Sequence, residues 1–160
     1  MIRVAGEADL PLIAALLCET WHATYDEIYG AAKVADISKR WHGEAQLARN
    51  LGTPGFLVST DGGTLTGTVL TTADASIGLV DLHRLYVYPA HQSKGLGRAL
   101  FDAAVACFPG APGVRLEVEP ANFRAIEFYQ HLGFAVVGKN ADCGCSGDHI
   151  SALVMSKSLA

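Results

Sequence analysis

A strand, a glycine-bearing turn and a helix follow one another between Leu85 and Leu100, and this segment constrains the fold more than any other. The apolar run before Pro89 is typical of a strand, which ends there because proline donates no hydrogen bond to a sheet. The turn has the sequence Gln92-Ser93-Lys94-Gly95-Leu96-Gly97 and leads into an apolar helical stripe. The first N–H groups of a helix have no intrahelical partner and lie at the positive end of its dipole, so the segment predicts an anion-binding site.

The glycines and charges of the turn narrow the kind of anion site. Gly95 and Gly97 allow the backbone to approach a ligand closely, and Lys94 and Arg98 add positive charge. A dinucleotide-binding fingerprint requires a third glycine where this chain has Leu100, and no strand–helix–strand unit precedes the turn. The Gly-Lys-Ser/Thr sequence of a Walker loop is also absent. From these residues alone, an ordinary turn before a helix stays an alternative.

Hydrophobic periodicity predicts two helices before the first long strand. Asp9 is expected to cap the first helix, whose predicted buried stripe contains Ile13, Leu17, Trp21, Thr24 and Ile28. The second helix is predicted over 34–51 and ends at a Gly-Thr-Pro sequence.

The rest of the chain alternates between strand and helix patterns. Strands are predicted at 56–58, 64–72, 79–87, 114–119, 134–137 and 150–155. Asp61-Gly62-Gly63 predicts a hairpin turn, and Gly133 predicts a left-handed helix end. With helices at 95–108 and 122–131, the order is β-α-α-β-β-β-α-β-α-β-β, which indicates one mixed α/β domain over residues 1–160.

Composition excludes several classes of function. The chain has a net charge of −4 and no basic stretch that would neutralise phosphates, so no nucleic-acid partner is expected. No run approaches the roughly 20 apolar residues that cross a bilayer, and the N-terminus lacks a signal-peptide pattern. We therefore expect no membrane partner and a cytoplasmic location. The four cysteines form no disulfide framework, and we expect reduced thiols.

The turn resembles the Q/R-x-x-G-x-G/A motif of the GCN5-related N-acetyltransferases, and the strand before it, Leu85-Tyr86-Val87-x-Pro89, is also similar to that family. The element order fits as well, so the resemblance covers essentially the whole chain. It implies a central mixed, mostly antiparallel sheet flanked by about four helices, and acetyl-CoA as the acyl donor. The backbone residues implied in coenzyme binding are Leu85, Tyr86 and Val87 for the pantetheine arm and Gln92, Ser93, Lys94, Gly95, Leu96 and Gly97 for the pyrophosphate, beside the Arg98 charge.

A second segment, from Leu116 to Phe134, resembles another conserved block of the family, which usually ends Y-x-x-x-G-F. The resemblance implies that Asn122 reaches the pantetheine or acetyl region and that Tyr129 lies near the thioester sulfur. An amine that attacks a thioester must first lose a proton, and the departing thiolate is stabilised by gaining one. Tyr129 is therefore the predicted general acid, and the reaction requires no metal.

Several carboxylates and a histidine are candidates for the general base. Glu117 matches a glutamate that serves as base in ribosomal-protein alanine acetyltransferases, and Glu119 shares its face of the strand. The turn from Gln92 to Gly97 is called the phosphate turn below. Asp81 and His83 lie on the strand before it, where other family members carry a base, and would act through water. An exposed carboxylate without a catalytic role stays an alternative for Glu117.

The acceptor site is implied by the resemblance to lie near the first two helices and the loop before the last strand. Trp21 to Tyr29 resembles a W-x-x-T-Y-x-x-I-Y pattern of bacterial members, with Trp21 expected in the core and Tyr25 and Tyr29 at a pocket edge. Cys143 and Cys145 lack the C-x-x-C spacing of a zinc site, so their loop is predicted to bind no metal.

The sequence thus predicts an acetyl-CoA-dependent N-acetyltransferase that acts on a primary amine of a small molecule by direct attack in a ternary complex. Two alternatives stay open, a peptide or protein N-terminal acetyltransferase and a non-catalytic coenzyme-A-binding sensor. Dimers are frequent in the family, so a homodimer is possible.

Overall fold

The computed structural model of the 160-residue chain describes residues 1–143 and 150–160, with side chains described for 1–140 and 151–160. The helices are α1 (Leu10–Tyr29), α2 (Ala31–Trp41), α3 (Glu44–Ala48), α4 (Leu96–Ala106) and α5 (Phe123–His131). The strands are β1 (Ile2–Val4), β2 (Gly55–Asp61), β3 (Thr64–Ala73), β4 (Val80–Val87), β5 (Gly113–Val118), β6 (Ala135–Cys143) and β7 (Ile150–Ser158).

The described strands form a seven-stranded sheet in the order β1-β2-β3-β4-β5-β7-β6. Strands β1 with β2, β2 with β3, β5 with β7 and β6 with β7 pair antiparallel, whereas β4 and β5 are parallel. Four of the described helices have nine or more residues, and α3 has only five. The predicted fold class, a mixed and mostly antiparallel sheet with about four helices, is confirmed.

The chain divides into two compact units. The first contains Met1–Thr71 and Arg84–Cys107, and the second contains Thr72–His83 and Phe108–Ala160. The phosphate turn and the N-terminal helices therefore belong to the first unit. The second unit holds β5, α5, β6 and β7. That all 160 residues form one domain stays a prediction.

The core of the first unit forms where α1 packs against β2 and β3. Ile13, Leu16 and Leu17 of α1 are fully buried, as is Val58 of β2. These side chains belong to one cluster that also includes Ala5, Leu10, Leu47, Phe56, Leu65 and Leu70. Burying an aliphatic side chain of this size stabilises a fold by about 1.5–3 kcal/mol, so this cluster fixes α1 on the sheet.

Two predictions about α1 are wrong. Thr24 and Ile28 are exposed, because the inward stripe continues from Trp21 to Tyr25, whose ring packs on the indole at a centroid distance of 4.5 Å. Asp9 does not cap the helix with its side chain, since its own backbone is already helical. Its carboxylate instead accepts hydrogen bonds from Arg3 and from the Gly6 N–H.

The second predicted helix is interrupted. The segment 34–51 contains the end of α2 and all of α3, separated at His42 and Gly43. His42 leaves helical geometry with φ −122° and ψ 14°, and its side chain is buried at 6% exposure. Burial of a polar ring at the break is a tertiary effect, so helical periodicity did not indicate it.

Both predicted glycine turns are confirmed. Gly62 and Gly63 have φ of 56° and 84°, as a two-residue hairpin turn requires, and Gly133 ends α5 with φ of 99°. Within residues 1–143 and 150–160, none of the helices is both long and apolar enough to cross a membrane.

Candidate functional site

The phosphate turn follows the end of β4 and is connected to it by a side-chain hydrogen bond. After Val87, a short 3-10 turn spans Pro89–His91. The Gln92 amide then reaches back, and its Nε2 donates a hydrogen bond of 2.9 Å to the Val87 carbonyl oxygen. The sequence predicted a backbone role for Gln92 but missed this side-chain contact, which holds the two ends of the connection together.

Two left-handed residues direct the turn into α4. Gly95 has φ of 78°, and Ser93, with φ of 63°, is the one non-glycine residue in the described chain with a positive φ. Such conformations cost about 1–3 kcal/mol for non-glycine residues and cluster where a chain clamps a ligand. The first helical hydrogen bond runs from the Ala99 N–H to the Gly95 carbonyl oxygen at 3.0 Å. The amides of Leu96 and Gly97 therefore precede the helical ladder and point out of the helix end.

The charges beside this helix end are accessible. Lys94 and Arg98 are both exposed. Arg98 Nε lies 3.8 Å from Asp102 Oδ2, a surface ion pair that contributes about 1 kcal/mol or less. Backbone donors, a helix dipole and two cations are thus available to an anion, which is the donor set that a pyrophosphate requires.

A glycine behind the turn sets the position of α4, and sequence reasoning missed it. A Cβ atom on Gly67 of β3 would lie 2.9 Å from Leu100 Cδ1, 2.9 Å from Ser59 Oγ and 3.0 Å from the Tyr86 carbonyl oxygen. The two contacts below 3.0 Å would force the ends of the Leu100 and Ser59 side chains to shift, and the backbone contact is tighter than nine in ten real Cβ contacts. The helix that carries the turn therefore depends on a residue without a side chain at this point.

Four side chains of the first unit, Trp21, Trp41, His42 and Tyr86, contact one another through their rings. Together with Arg84, which lies two residues before Tyr86 on β4 and whose charge acts on His42 and Tyr86, we call them the aromatic–arginine cluster. Trp21 Nε1 donates a hydrogen bond of 3.0 Å to the Tyr86 hydroxyl. The Trp21 ring lies 5.6 Å from that of Trp41 and 5.2 Å from that of His42, between centroids. The prediction that Trp21 is in the core is confirmed, since it is 7% exposed.

Burial controls the charges within this cluster. Burial, with a smaller contribution from the Arg84 charge, lowers the pKa of His42 to about 3. Burial also raises the pKa of the Tyr86 hydroxyl and lowers the pKa of Arg84. A guanidinium stays protonated despite such a shift. At neutral pH the histidine and tyrosine are therefore neutral, and Arg84 carries the charge of the cluster.

The two tyrosines predicted at the acceptor site continue along α1. Tyr25 is 7% exposed and packs on Trp21. Tyr29 is partly exposed, with its ring centroid 6.0 Å from that of Tyr25 and the Lys33 Nζ 5.1 Å above its ring. The Lys33 contact shows that this ring accepts a cation, but a role for either tyrosine in acceptor binding stays a prediction.

In the second unit, Glu117 lies on the exposed face of β5, opposite the buried Val118, as the alternation predicted. Its Oε1 accepts a hydrogen bond of 3.1 Å from Nδ2 of Asn140 in β6, a contact that the sequence did not indicate. Glu119 Oε1 accepts from the Ala121 N–H at 3.3 Å. The two glutamates therefore differ, because one is oriented by a neighbouring strand and the other by its own turn.

The two other candidates for the general base, Asp81 and His83 on β4, have hydrogen-bond partners within the protein. Asp81 Oδ1 accepts hydrogen bonds from Arg115 Nε at 3.0 Å and Nη2 at 2.8 Å. The same guanidinium lies 3.7 Å from Asp74. His83 is exposed, and its Nε2 lies 2.7 Å from the Thr72 hydroxyl. Asp81 is thus held in place by two hydrogen bonds from one guanidinium.

Asn122 and Tyr129 lie at opposite ends of α5. Asn122 is the N-cap, and its Oδ1 accepts a hydrogen bond of 3.2 Å from the Ala125 N–H. Tyr129 is partly buried, with its ring in edge contact with Phe134 at 5.6 Å. Each therefore has a structural contact in addition to the role that the family resemblance implies for it.

Among the described residues there is no group of three or more His, Cys, Asp and Glu side chains that could hold a metal ion. The Cys143 and Cys145 side chains, for which the sequence predicted no metal, lie outside the described part of the chain.

Known proteins are similar to this chain, some in sequence and others in fold. The model of the acetyltransferase (GNAT) family matches residues 14–134. The mycothiol acetyltransferase of Beutenbergia cavernae is 40% identical over 86 residues, which are 52% of this chain and 28% of that protein. The L-methionine sulfoximine/L-methionine sulfone acetyltransferase of Salmonella typhimurium is 38% identical over 66 residues, which are 39% of this chain and 37% of that protein. Each match thus spans well under half of the relative.

The crystal structure of the PaiA N-acetyltransferase from Thermoplasma acidophilum in complex with coenzyme A has the same fold. The TM-score is 0.83 at 24% sequence identity, and the alignment covers 99% of this chain and 98% of that chain. The family model covers most of the sequence, including the phosphate turn and α5. The chain therefore belongs to the acetyltransferase (GNAT) family, as its two motifs predicted.

Proposed function

We propose that this protein is an acetyl-CoA-dependent N-acetyltransferase that transfers acetyl to a primary amine of a small molecule. The observation that carries the proposal is the turn from Gln92 to Arg98. There, left-handed Ser93 and Gly95 direct the free amides at the start of α4 outward. Two relatives of the chain are named as acetyltransferases of mycothiol and of L-methionine sulfoximine, which are both small molecules.

In this proposal, acetyl-CoA supplies the acetyl group as a thioester. The amides of Gln92, Ser93, Lys94, Gly95, Leu96 and Gly97 bind its pyrophosphate, with the charges of Lys94 and Arg98 beside them. The backbone of Leu85, Tyr86 and Val87 holds the pantetheine arm, and the family resemblance assigns Asn122 to the pantetheine or acetyl region. These residues bind and orient the donor, which converts a bimolecular encounter into a positioned reaction.

Proton transfers complete the proposed mechanism. Glu117 accepts a proton from the acceptor ammonium, and the neutral nitrogen forms a bond to the thioester carbonyl carbon as the C–S bond breaks. Tyr129 donates its hydroxyl proton to the departing sulfur. Asn140 holds the Glu117 carboxylate in one orientation, which favours this glutamate over Asp81, whose oxygen is already held by Arg115. His83, acting through water, is the second choice for the base.

A non-catalytic coenzyme sensor is the second candidate. It is favoured because the features that bind the coenzyme are clearer than any general base, and because Asp81 and Asn122 already have hydrogen-bond partners within the protein. An N-terminal acetyltransferase of peptides differs from the main proposal only in its acceptor. A cytoplasmic location and a homodimer, both expected from the sequence, stay predictions.

A single assay separates these candidates. The purified protein is given acetyl-CoA with a panel of small primary amines and short peptides, and the release of free thiol is followed together with the mass of the acceptor. We expect thiol release and a 42 Da gain on a small amine, 42 Da being about the mass of an added acetyl group less one hydrogen. Coenzyme binding without turnover on any acceptor would favour the sensor, and turnover on peptides alone would favour the N-terminal acetyltransferase.

Two variants identify the base. Glu117→Gln is expected to lower the turnover number about 100-fold, the usual effect of a general base, whereas Asp81→Asn leaves most turnover intact. The reverse order would assign the proton transfer to Asp81.

A further inference from the structure

Arg84 of β4 is a partly buried cation that lacks a carboxylate partner among the described residues. Its guanidinium donates a hydrogen bond to the neutral Asn50 side chain and lies 5.8 Å from the ring centroid of Phe56. Arg3 provides a contrast within the same unit, because two of its nitrogens bind the Asp9 carboxylate at 2.7 and 2.9 Å. Charges removed from water are normally paired. Arg84 is an exception, because it has no carboxylate partner in the described part of the chain although it is more buried than Arg3.

A second donor in the same cluster is also unused. Trp41 Nε1 is buried, and within the described residues it has no hydrogen-bond partner. The Trp41 ring lies 6.4 Å from the His42 ring, which in turn lies 6.5 Å from the Tyr86 ring. Burying an indole N–H without an acceptor is unfavourable, and a guanidinium has five N–H donors, of which one is engaged by Asn50. The aromatic–arginine cluster thus has a surplus of donors and lacks an acceptor.

We propose that this cluster binds a carboxylate of the amine acceptor, so that the substrates are amines that also carry a carboxylate, such as amino acids. The inference rests on the proposed function and specifies its acceptor. Arg84 immediately precedes Leu85, Tyr86 and Val87, to which we assign the pantetheine arm. A carboxylate anchored on Arg84 therefore holds its amine close to the donor.

The charge of the cluster selects a carboxylate over a phosphate. With His42 and Tyr86 neutral, the cluster presents one positive charge, which matches one carboxylate but leaves one of the two negative charges of a phosphate dianion uncompensated. The planar guanidinium also matches the planar carboxylate group in two parallel hydrogen bonds. The Phe56 ring, 5.8 Å from the guanidinium, makes the surroundings of this contact apolar and so strengthens it.

The two tryptophans of the chain allow a direct test, because both belong to this cluster. Their fluorescence is followed while the protein, saturated with coenzyme A, is titrated with L-leucine, L-methionine, L-glutamate and β-alanine, each paired with its carboxamide. At least one acid is expected to bind about 10-fold or more tightly than its amide, as a charge-assisted pair predicts. Arg84→Met removes this preference. Arg49→Met removes an exposed charge from the neighbouring segment and keeps the preference.

Equal binding of every acid and its amide by the wild-type protein would overturn the inference, and so would a preference that survives in Arg84→Met. Should Arg84→Met not fold, Trp41→Phe retains the ring and Trp21 fluorescence while it removes the orphan donor. It is expected to weaken binding of the acid about 3- to 10-fold, and unchanged binding would contradict the inference. Because the titration requires no turnover, selective binding without thiol release would overturn only the proposed function. Thiol release with acids and amides alike would overturn only this inference.

Discussion

The two compact units present their candidate functional groups in different ways. In the first unit, the phosphate turn, which we propose binds the coenzyme, consists of backbone amides whose direction depends on Ser93, Gly95 and the nearby Gln92. In the second, two of the candidates for the general base are side chains oriented by residues far along the chain. Glu117 is held by Asn140, 23 residues away, and Asp81 by Arg115, 34 residues away. The direction of backbone amides depends on residues close in sequence, whereas the orientation of these side chains depends on the pairing of strands that are distant in sequence.

The largest effect is expected at Tyr129 in the second unit. Tyr129→Phe keeps the ring contact with Phe134 but removes the hydroxyl, so the turnover number should fall about 100-fold or more while the coenzyme affinity stays unchanged. Steady-state kinetics and calorimetric titration with coenzyme A measure the two quantities. Tyr88→Phe in the first unit is the matched control and should keep most of the turnover. Equal turnover of both variants would remove Tyr129 from the mechanism.

A stability difference is expected between two glycines, one in each unit. Gly67→Ala places a methyl group against Leu100 and the Tyr86 carbonyl, and should lower the free energy of unfolding by about 1–3 kcal/mol, as overpacking does. Gly138→Ala in β6 meets no atom within 4 Å and should change it by less than about 0.5 kcal/mol. Urea denaturation measures both values. Similar losses of unfolding free energy in the two variants would show that close packing around Gly67 does not explain the effect of its substitution.

Backbone direction in the turn can be separated from general strain. Gly95→Ala and Gly110→Ala both place a side chain at a left-handed position, with φ of 78° and 82°. Each should destabilise the fold by about 1 kcal/mol, but only Gly95→Ala should also weaken coenzyme A binding, by about 5-fold. Calorimetric titration of both variants makes the comparison, and equal affinities would place the coenzyme elsewhere.

Near neutral pH, the smallest predicted effect is a dependence of stability on pH that originates in the first unit. The pKa of His42 is about 3 in the folded protein and near its ordinary 6.5 in the unfolded chain, so the unfolded chain binds more protons between these values. Stability is therefore fully present above pH 6.5 and declines as the pH falls towards 3. Between pH 7 and 6 this histidine contributes a loss of about 0.7 kcal/mol.

Thermal and urea unfolding of His42→Gln should lack the loss of stability that His42 contributes as the pH falls. The exposed His131 of the second unit provides the control, since His131→Gln should keep the wild-type pH dependence. Identical pH profiles for wild-type protein and His42→Gln would contradict the burial argument.

The same difference between units explains what the sequence allowed us to predict. Glycines and apolar periodicity are local, and they predicted the element order apart from the division of the second helix into α2 and α3, the hairpin at Gly62 and Gly63, and the turn into α4. Burial of polar groups is a tertiary property. The break at His42, the Asp9 contact with Arg3 and the aromatic–arginine cluster therefore left no periodic pattern in the sequence.

The candidate site follows the same division. The resemblance to the family supplied Glu117, Asn122 and Tyr129 as residues but not their partners. Asn140 could not have been chosen as the partner of Glu117 without the pairing of β6 with β7 and of β7 with β5. Arg84 gave no indication of its role, because an arginine beside Leu85 on an alternating strand is as typical of a solvated face as of a buried cluster.

The most direct test of the account is a crystal structure of the protein with coenzyme A. The account predicts pyrophosphate oxygens within about 3.2 Å of backbone nitrogens in the turn from Gln92 to Gly97, at the start of α4. A pyrophosphate bound away from that turn would contradict it.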